Sequence, residues 1–217
     1  MVIVPYYNQL MKRLFRLIFR GNYQLKFTDN LAYSFLKSKK KVLDVGCGDG
    51  RFMALNPKKI QGIDGNRQTV TSVKKRGFSV TYAKATKLPF ADKTFDGVHC
   101  SHVIEHMPPK KAIKLLQEAS RVLKKNGVFV LRTPLLWQGF YDDFSHVKPY
   151  NPNAILRYMV HDGANKTLSA VGGRFEKIAL IWRYRSLLDI LYPLGIHRLE
   201  KNGYILVLKK IVRLVDN

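Results

Sequence analysis

The chain has 217 residues, 46% of them hydrophobic and 12% aromatic, which suits one domain with a real core and excludes a disordered or fibrous protein. Thirty-eight lysines and arginines against fifteen acidic residues give a formal net charge of +23. A balance this basic says nothing about the fold but favours an anionic partner: nucleic acid, an anionic membrane surface or a phosphorylated small molecule.

Residues 7–20 (YNQLMKRLFRLIFR) predict the first element, an amphipathic basic helix. Leu10, Met11, Leu14, Phe15, Leu17, Ile18 and Phe19 cover one broad arc, Lys12, Arg13, Arg16 and Arg20 cover the rest, and Gly21 is a natural stop. A polar, lysine-rich passage follows and ends in Lys39, Lys40 and Lys41, so residues 1–40 read as a helix and cap before a core over 41–217. That core alternates strand and helix. Strands are predicted at Val42–Val45, Ile60–Ile63 (ending at Asp64), Phe78–Tyr82, Asp96–Cys100 and Val128–Leu131. Helices are predicted over 67–76, near 102–106 and over 110–125, the last closed by Asn126-Gly127. A loop-rich stretch then holds one helix from Asn153 to Val160, and Phe175–Trp182 and Tyr204–Leu208 read as the final strands. Such alternation predicts an α/β fold, a parallel sheet covered by helices on both faces. No apolar run approaches the roughly 18–20 residues of a membrane span, and no signal-peptide pattern follows the N-terminus. Cys47 and Cys100 lie in hydrophobic stretches as reduced thiols would, so a soluble cytoplasmic protein is expected.

The decisive segment is Val42-Leu43-Asp44-Val45-Gly46-Cys47-Gly48-Asp49-Gly50. An apolar strand runs into a glycine-rich turn, where backbone can approach a ligand at the carboxyl edge of the sheet. Asp64 ends the next strand twenty residues after Asp44, where a carboxylate accepts both hydroxyls of a ribose. The dinucleotide fingerprint is G-x-G-x-x-G, whereas these glycines are Gly46, Gly48 and Gly50. Asp44 would repel a pyrophosphate and suits a cationic cofactor, which disfavours a nucleotide-binding oxidoreductase.

At these residues the chain resembles the class I S-adenosylmethionine (SAM)-dependent methyltransferases, of the type 11 domain, over about Lys41–Pro134, with a looser match to Leu208. Leu43–Gly50 (LDVGCGDG) is similar to the family's first motif, and Gly62-Ile63-Asp64 to its ribose-binding strand. Leu88-Pro89-Phe90 with Phe95-Asp96-Gly97-Val98 is similar to its LPF…FD stretch, Val103–Met107 to its VLEHL helix, and Arg121–Lys124 with Asn126-Gly127 to its RVLKPGG turn. The resemblance implies a Rossmann-like, doubly wound, mostly parallel sheet of seven strands with the last antiparallel, and methyl transfer from SAM. It implies cofactor contacts at Asp44, Gly46, Cys47, Gly48, Asp64, Gly65 and Ala85, with Cys100 and Ser101 at the methionine end. One position departs from the pattern: Lys84 stands where the family places the acid that holds the adenine amino group, and a lysine cannot accept that hydrogen bond.

Methyl transfer needs alignment, and a weakly acidic nucleophile also needs a base or a metal. His102, Glu105 and His106 are spaced i, i+3, i+4 and share one face if helical; His146 comes from the loop after the fifth strand. Two readings stand. In one, His102, Glu105, His106 and His146 bind a divalent metal, which resembles RNA 3′-terminal ribose and ubiquinone-pathway O-methyltransferases. In the other, Glu105 and His106 make structural hydrogen bonds, and His102 and His146 serve as catalytic base or substrate contact. Thr133–Tyr158, with Trp137, Phe140, Tyr141, Phe144 and Tyr150, reads as the substrate wall, and its S-H-V-K-P-Y run resembles methyltransferases of cell-envelope glycans and lipids.

The expected function is transfer of a methyl group to an O or N nucleophile of an anionic small-molecule, glycan or lipid acceptor. RNA is the alternative acceptor, and a non-catalytic SAM-binding partner subunit is the alternative of another class. The helix at 7–20 would meet an anionic membrane surface or pack over the SAM pocket, and Leu187–Ile196 would be a second membrane contact or core.

Overall fold

The computed structural model describes residues 23–137, 139–160, 171, 174–184 and 201–211. The helix expected over 7–20 and the segment Leu187–Ile196 lie outside the described residues. Four helices are described, α1 (Tyr23–Ser34), α2 (Arg67–Lys75), α3 (Pro109–Val122) and α4 (Pro152–Met159). Seven strands accompany them, β1 (Val42–Val45), β2 (Ile60–Asp64), β3 (Val80–Tyr82), β4 (Phe95–Ser101), β5 (Leu123–Pro134), β6 (Arg174–Tyr184) and β7 (Lys201–Ile211). They form one sheet in the order β3-β2-β1-β4-β5-β7-β6. β1 pairs in parallel with β2 and β4, β2 with β3 and β4 with β5, whereas β7 runs antiparallel between β5 and β6.

The inner strands β1, β4, β5 and β7 are buried over most of their length because both faces of the sheet are covered there, whereas β6 at the edge is largely half-buried or exposed. In β5, Phe129 and Leu131 enter one apolar cluster with the α3 residues Leu115 and Leu116. Val128 and Val130 enter the other with Val70 and Val73 of α2. α3 forms because Ala112, Leu115, Leu116, Ala119 and Val122 recur at helical spacing and are all buried. Pro109 in its first turn lacks only an N–H that would have had no partner.

Three expectations are corrected. The passage before Lys39 contains α1, where only a polar, lysine-rich passage was expected; among its described side chains Ala32 is buried in the core, with Leu36 just beyond its end. Gly97 makes room for Leu36, since a Cβ there would sit 2.7 Å from Leu36 Cδ2. The helix expected over 110–125 stops at Val122, and the chain is already extended at Leu123. Leu123 pairs with Phe95 and Val128 with Gly97, so the chain turns between them, with Asn126 at φ 61°. Finally, the helix expected near 102–106 is a single 3-10 turn, Ile104–His106, and His102 lies outside it at φ 55°.

Candidate functional site

The glycine turn is held against the end of β2. The Gly46 and Cys47 N–H groups both donate to Ile63 O, at 2.8 and 2.9 Å, and Gly50 N–H donates to Cys47 O at 2.9 Å. Gly46, Gly48 and Gly50 have φ of +72°, +52° and +78°, a region that costs a side-chain-bearing residue roughly 1–2 kcal/mol. A Cβ at Gly46 would overlap Val103 Cγ2, whereas one at Gly48 would meet nothing within 4 Å. The turn therefore packs on the Gly46 side and stays open at Gly48. Asp64 faces it: its Oδ2 accepts from Gly48 N–H at 3.1 Å and its Oδ1 from Asn66 N–H at 2.8 Å.

Beside the turn lies a cleft of about 280 Å³, walled by Asp44, Gly46, Gly48, His99, Ser101, His102 and Arg132, with Asp29 closing it. His99 Nδ1 lies 2.7 Å from Asp44 Oδ1, both side chains almost wholly buried, and the Phe52 ring stacks on the imidazole at 3.6 Å and 13°. Arg132 reaches from the end of β5 to Asp29 Oδ1 at 2.8 Å. His99 Nε2 and Arg132 Nε are buried with no hydrogen-bond partner among the described residues. Buried polar atoms without partners are costly and rare, so two of them at one cleft point to a polar ligand.

Of the residues expected at the cofactor, Asp44, Gly46, Cys47, Gly48 and Ser101 line this cleft, and Asp64 borders it through Gly48. Burial and the nearby Asp44 and Asp64 push the Cys47 thiol up to about 12, so it stays neutral. Cys100 is different. It is fully buried in the cluster on the other face of the sheet, so its side chain belongs to the core. Gly65 and Lys84 are exposed and Ala85 is half-buried, all at the β2–β3 edge of the site.

The candidate catalytic groups gather at the neighbouring strand ends. His102, Glu105 and His106 do not share a helical face; the 3-10 turn assembles them instead. Glu105 is fully buried, with Oε1 2.9 Å from His102 Nδ1 and Oε2 accepting from Thr133 Oγ1 at 3.0 Å. Burial pushes the Glu105 carboxyl up, but the His102 and Thr133 contacts outweigh it and hold the group ionised, below the usual range. For His102 burial dominates: its pKa falls below the ordinary histidine value although Glu105 pulls it up. A neutral His102 whose Nδ1–H donates to Glu105 keeps a lone pair on Nε2, as a general base must.

His146 approaches the same place. Its ring lies 4.9 Å from that of His106, and its Nδ1 bonds to the Phe140 carbonyl. His106 Nδ1 sits 3.0 Å from both oxygens of Ser145. Donor atoms of Glu105, His106 and His146 lie within 4.8 Å of one another; with both Nδ1 atoms engaged, the Nε2 atoms would be the ligands, that of His146 lying 3.9 Å from Asp143 Oδ2. Sequence reasoning missed His99, Phe52, Arg132 and Asp29. For His99 there was a signal, a polar residue inside the apolar run of β4.

The family model described as "Methyltransferase domain" matches residues 43–131, from β1 through most of β5. Residues 43–131 form a methyltransferase domain. An uncharacterised methyltransferase of Synechocystis sp. is 32% identical over 135 residues, covering 58% of this chain and 62% of its own. The 27-O-demethylrifamycin SV methyltransferase of Amycolatopsis mediterranei is 30% identical over 124 residues, covering 51% and 45%. Among solved structures, a SAM-dependent methyltransferase from Archaeoglobus fulgidus aligns with TM-score 0.69 at 24% identity, over 92% of this chain and 99% of that one, which shows a shared fold. The chain spans 44%, 62% and 45% of three curated relatives it matches. The cofactor of such a methyltransferase domain is SAM. Its cleft fits that molecule: an open glycine turn, the Asp64 carboxylate beside it and unpartnered polar atoms on its wall.

Proposed function

We propose that the protein transfers a methyl group from SAM to an O or N nucleophile of an anionic small-molecule, glycan or lipid acceptor, with His102 as the general base. The observation that carries this reading is the His102–Glu105 pair, 2.9 Å apart, at the wall of the cleft that the glycine turn opens. SAM, when bound, supplies an electrophilic methyl group on a sulfonium. The residues of this chain do the rest. The Gly46–Gly48 backbone and Asp64 hold the nucleoside part, and Asp44, tethered by His99, presents negative charge to a cationic ligand. Glu105 fixes the His102 tautomer, so that Nε2 takes the proton from the acceptor as its oxygen or nitrogen becomes nucleophilic. Residues 133–158 form the substrate wall, against which His146 contacts the acceptor. An oxygen acceptor is favoured by the relative named 27-O-demethylrifamycin SV methyltransferase, whose printed substrate is a 27-O-demethyl compound. Residues 41–217 act as the catalytic unit behind an N-terminal helix and cap, working in the cytoplasm at the inner face of the membrane.

A second reading is supported by the clustered donors of Glu105, His106 and His146: an ion held there would lower the pKa of an acceptor hydroxyl. It ranks second because both Glu105 oxygens already have partners. The net charge of +23 keeps RNA as the rival acceptor. Incubation with SAM labelled in its methyl group and separated lipid, glycan and RNA fractions tests the proposal. Label in a lipid or glycan fraction supports it, label in RNA replaces the acceptor, and cofactor binding without label transfer anywhere would mean a non-catalytic subunit.

A further inference from the structure

The loop after β5 contains an arrangement that lies outside the lining of the cofactor cleft. Within the twelve positions from Leu136 to Val147, Leu136 is 61% exposed, Tyr141 60% and Val147 49%, and Phe144 is fully exposed. Single exposed apolar side chains are ordinary, but four large ones in so short a stretch are not. Nor is this a frayed segment. Phe140 is buried and its N–H donates to Trp137 O at 2.9 Å. His146 N–H donates to Asp143 O, and the Val147 and Lys148 N–H groups both donate to Glu105 O, at 2.8 and 3.1 Å. Ser145 is tied to Asp143 through both its N–H and its hydroxyl, at 2.9 and 2.6 Å. Tyr150 closes the passage by donating to Met107 O at 2.8 Å. The backbone is thus fixed, and it holds the four apolar side chains in water.

We propose that Leu136, Tyr141, Phe144 and Val147 form a lipid-docking edge that enters the interfacial layer of an anionic bilayer beside the cleft. Charge and apolar surface divide the task. The net charge of +23 draws the molecule to an anionic surface from a distance, and the four side chains then leave water. Tyr141 carries a hydroxyl suited to the headgroup layer, whereas Phe144 has no polar atom in its side chain. Asp142 and Asp143 sit between them and oppose anionic headgroups, which limits the edge to shallow insertion. The backbone of Glu105 holds Val147 and Lys148, and its side chain holds His102, so a docked edge lies one residue away from the general base. No helix among the described residues is long and apolar enough to cross a membrane. The proposal rests on the methyltransferase reading only for its consequence, that the acceptor is delivered from the lipid phase.

The test is sedimentation of the full chain with large unilamellar vesicles of phosphatidylglycerol and phosphatidylcholine at 0.15 M salt, where charges farther apart than about 8 Å are screened. Phe144→Ser and the double variant Tyr141→Ser/Phe144→Ser are compared with the parent. Neither Tyr141 nor Phe144 lines the cofactor cleft, so S-adenosylhomocysteine titration serves as the check that the cleft is intact. The partition coefficient is expected to fall at least tenfold in the double variant, with Phe144→Ser intermediate and cofactor affinity unchanged. Fluorescence adds a direct readout: Phe144→Trp should gain emission that brominated lipid quenches. Equal partition of parent and double variant would mean that charge or another segment, such as residues 7–20, binds the vesicles and would overturn the proposal. So would no vesicle binding by the parent, which would assign the edge to a protein partner. Because sedimentation needs no turnover, its failure leaves the methyltransferase reading standing, and failure of methyl transfer leaves the docking edge standing.

Discussion

His102 combines three properties that seldom meet in one residue: a left-handed backbone, a buried carboxylate on Nδ1 and a place on the wall of the cleft. A non-glycine residue held at φ 55° costs free energy that its surroundings must supply, and such outliers gather at functional sites. Its lowered pKa gives a definite pH dependence. The imidazole must be neutral to accept a proton, so methyl transfer should be flat at neutral pH and fall only below the ordinary histidine value. Glu105→Gln removes the carboxylate that pulls this pKa up, so the acid limb should move to still lower pH as turnover drops. A pH–rate profile of both proteins checks the sign, and a limb that moves up would contradict the assignment. His102→Ala should lower turnover about a hundredfold or more with cofactor affinity unchanged; a parallel loss of binding would make the residue structural. Asp64→Ala should weaken S-adenosylhomocysteine at least tenfold, about 1.4 kcal/mol. An unchanged affinity would mean the ribose lies elsewhere.

Among the elements, the glycine turn carries the clearest prediction. Gly46→Ala adds left-handed strain and an overlap with Val103, the residue that leads into the turn bearing Glu105. At roughly 2–4 °C per kcal/mol for a chain of this size, melting should fall by about 2–8 °C from the strain alone. Gly48→Ala carries the strain without the overlap, so the difference between the two measures the packing. Equal melting temperatures would show that the turn does not press on Val103. The turn was legible in the sequence because glycine spacing and strand alternation are local patterns, and β1, β2 and α2 begin and end within a residue of expectation. The stretch 102–106 was not, because an i, i+3, i+4 spacing fits an α-helix and a 3-10 turn with a preceding left-handed residue equally well. α1 escaped for a related reason: Leu36, just beyond its end, packs at Gly97, sixty-one residues away in sequence. The pairs that build the site, Asp44 with His99 and Asp29 with Arg132, join separate elements and leave no local pattern.

For the whole molecule, the sheet order places the ends of β1, β4 and β5 side by side, and the cleft, the base and the docking edge all follow from that adjacency. The topology was predictable from strand–helix alternation together with the resemblance, whereas the acceptor was not, because the loop from Leu135 to Tyr150 has no regular pattern beyond its single turn at Phe140–Asp142. At this scale chelation separates the two readings of the base and the metal. Turnover should survive EDTA, since Glu105 already has a partner on each oxygen; loss of activity restored by a divalent ion would promote the second reading. On the methyltransferase reading the cleft beside the glycine turn binds the cofactor although Lys84 stands where the resembled family has an acid. The most direct test is calorimetric titration of the purified protein with S-adenosylhomocysteine, with and without EDTA. One site of micromolar affinity, insensitive to EDTA and weakened by Asp64→Ala, is the predicted result. No detectable binding would contradict the account.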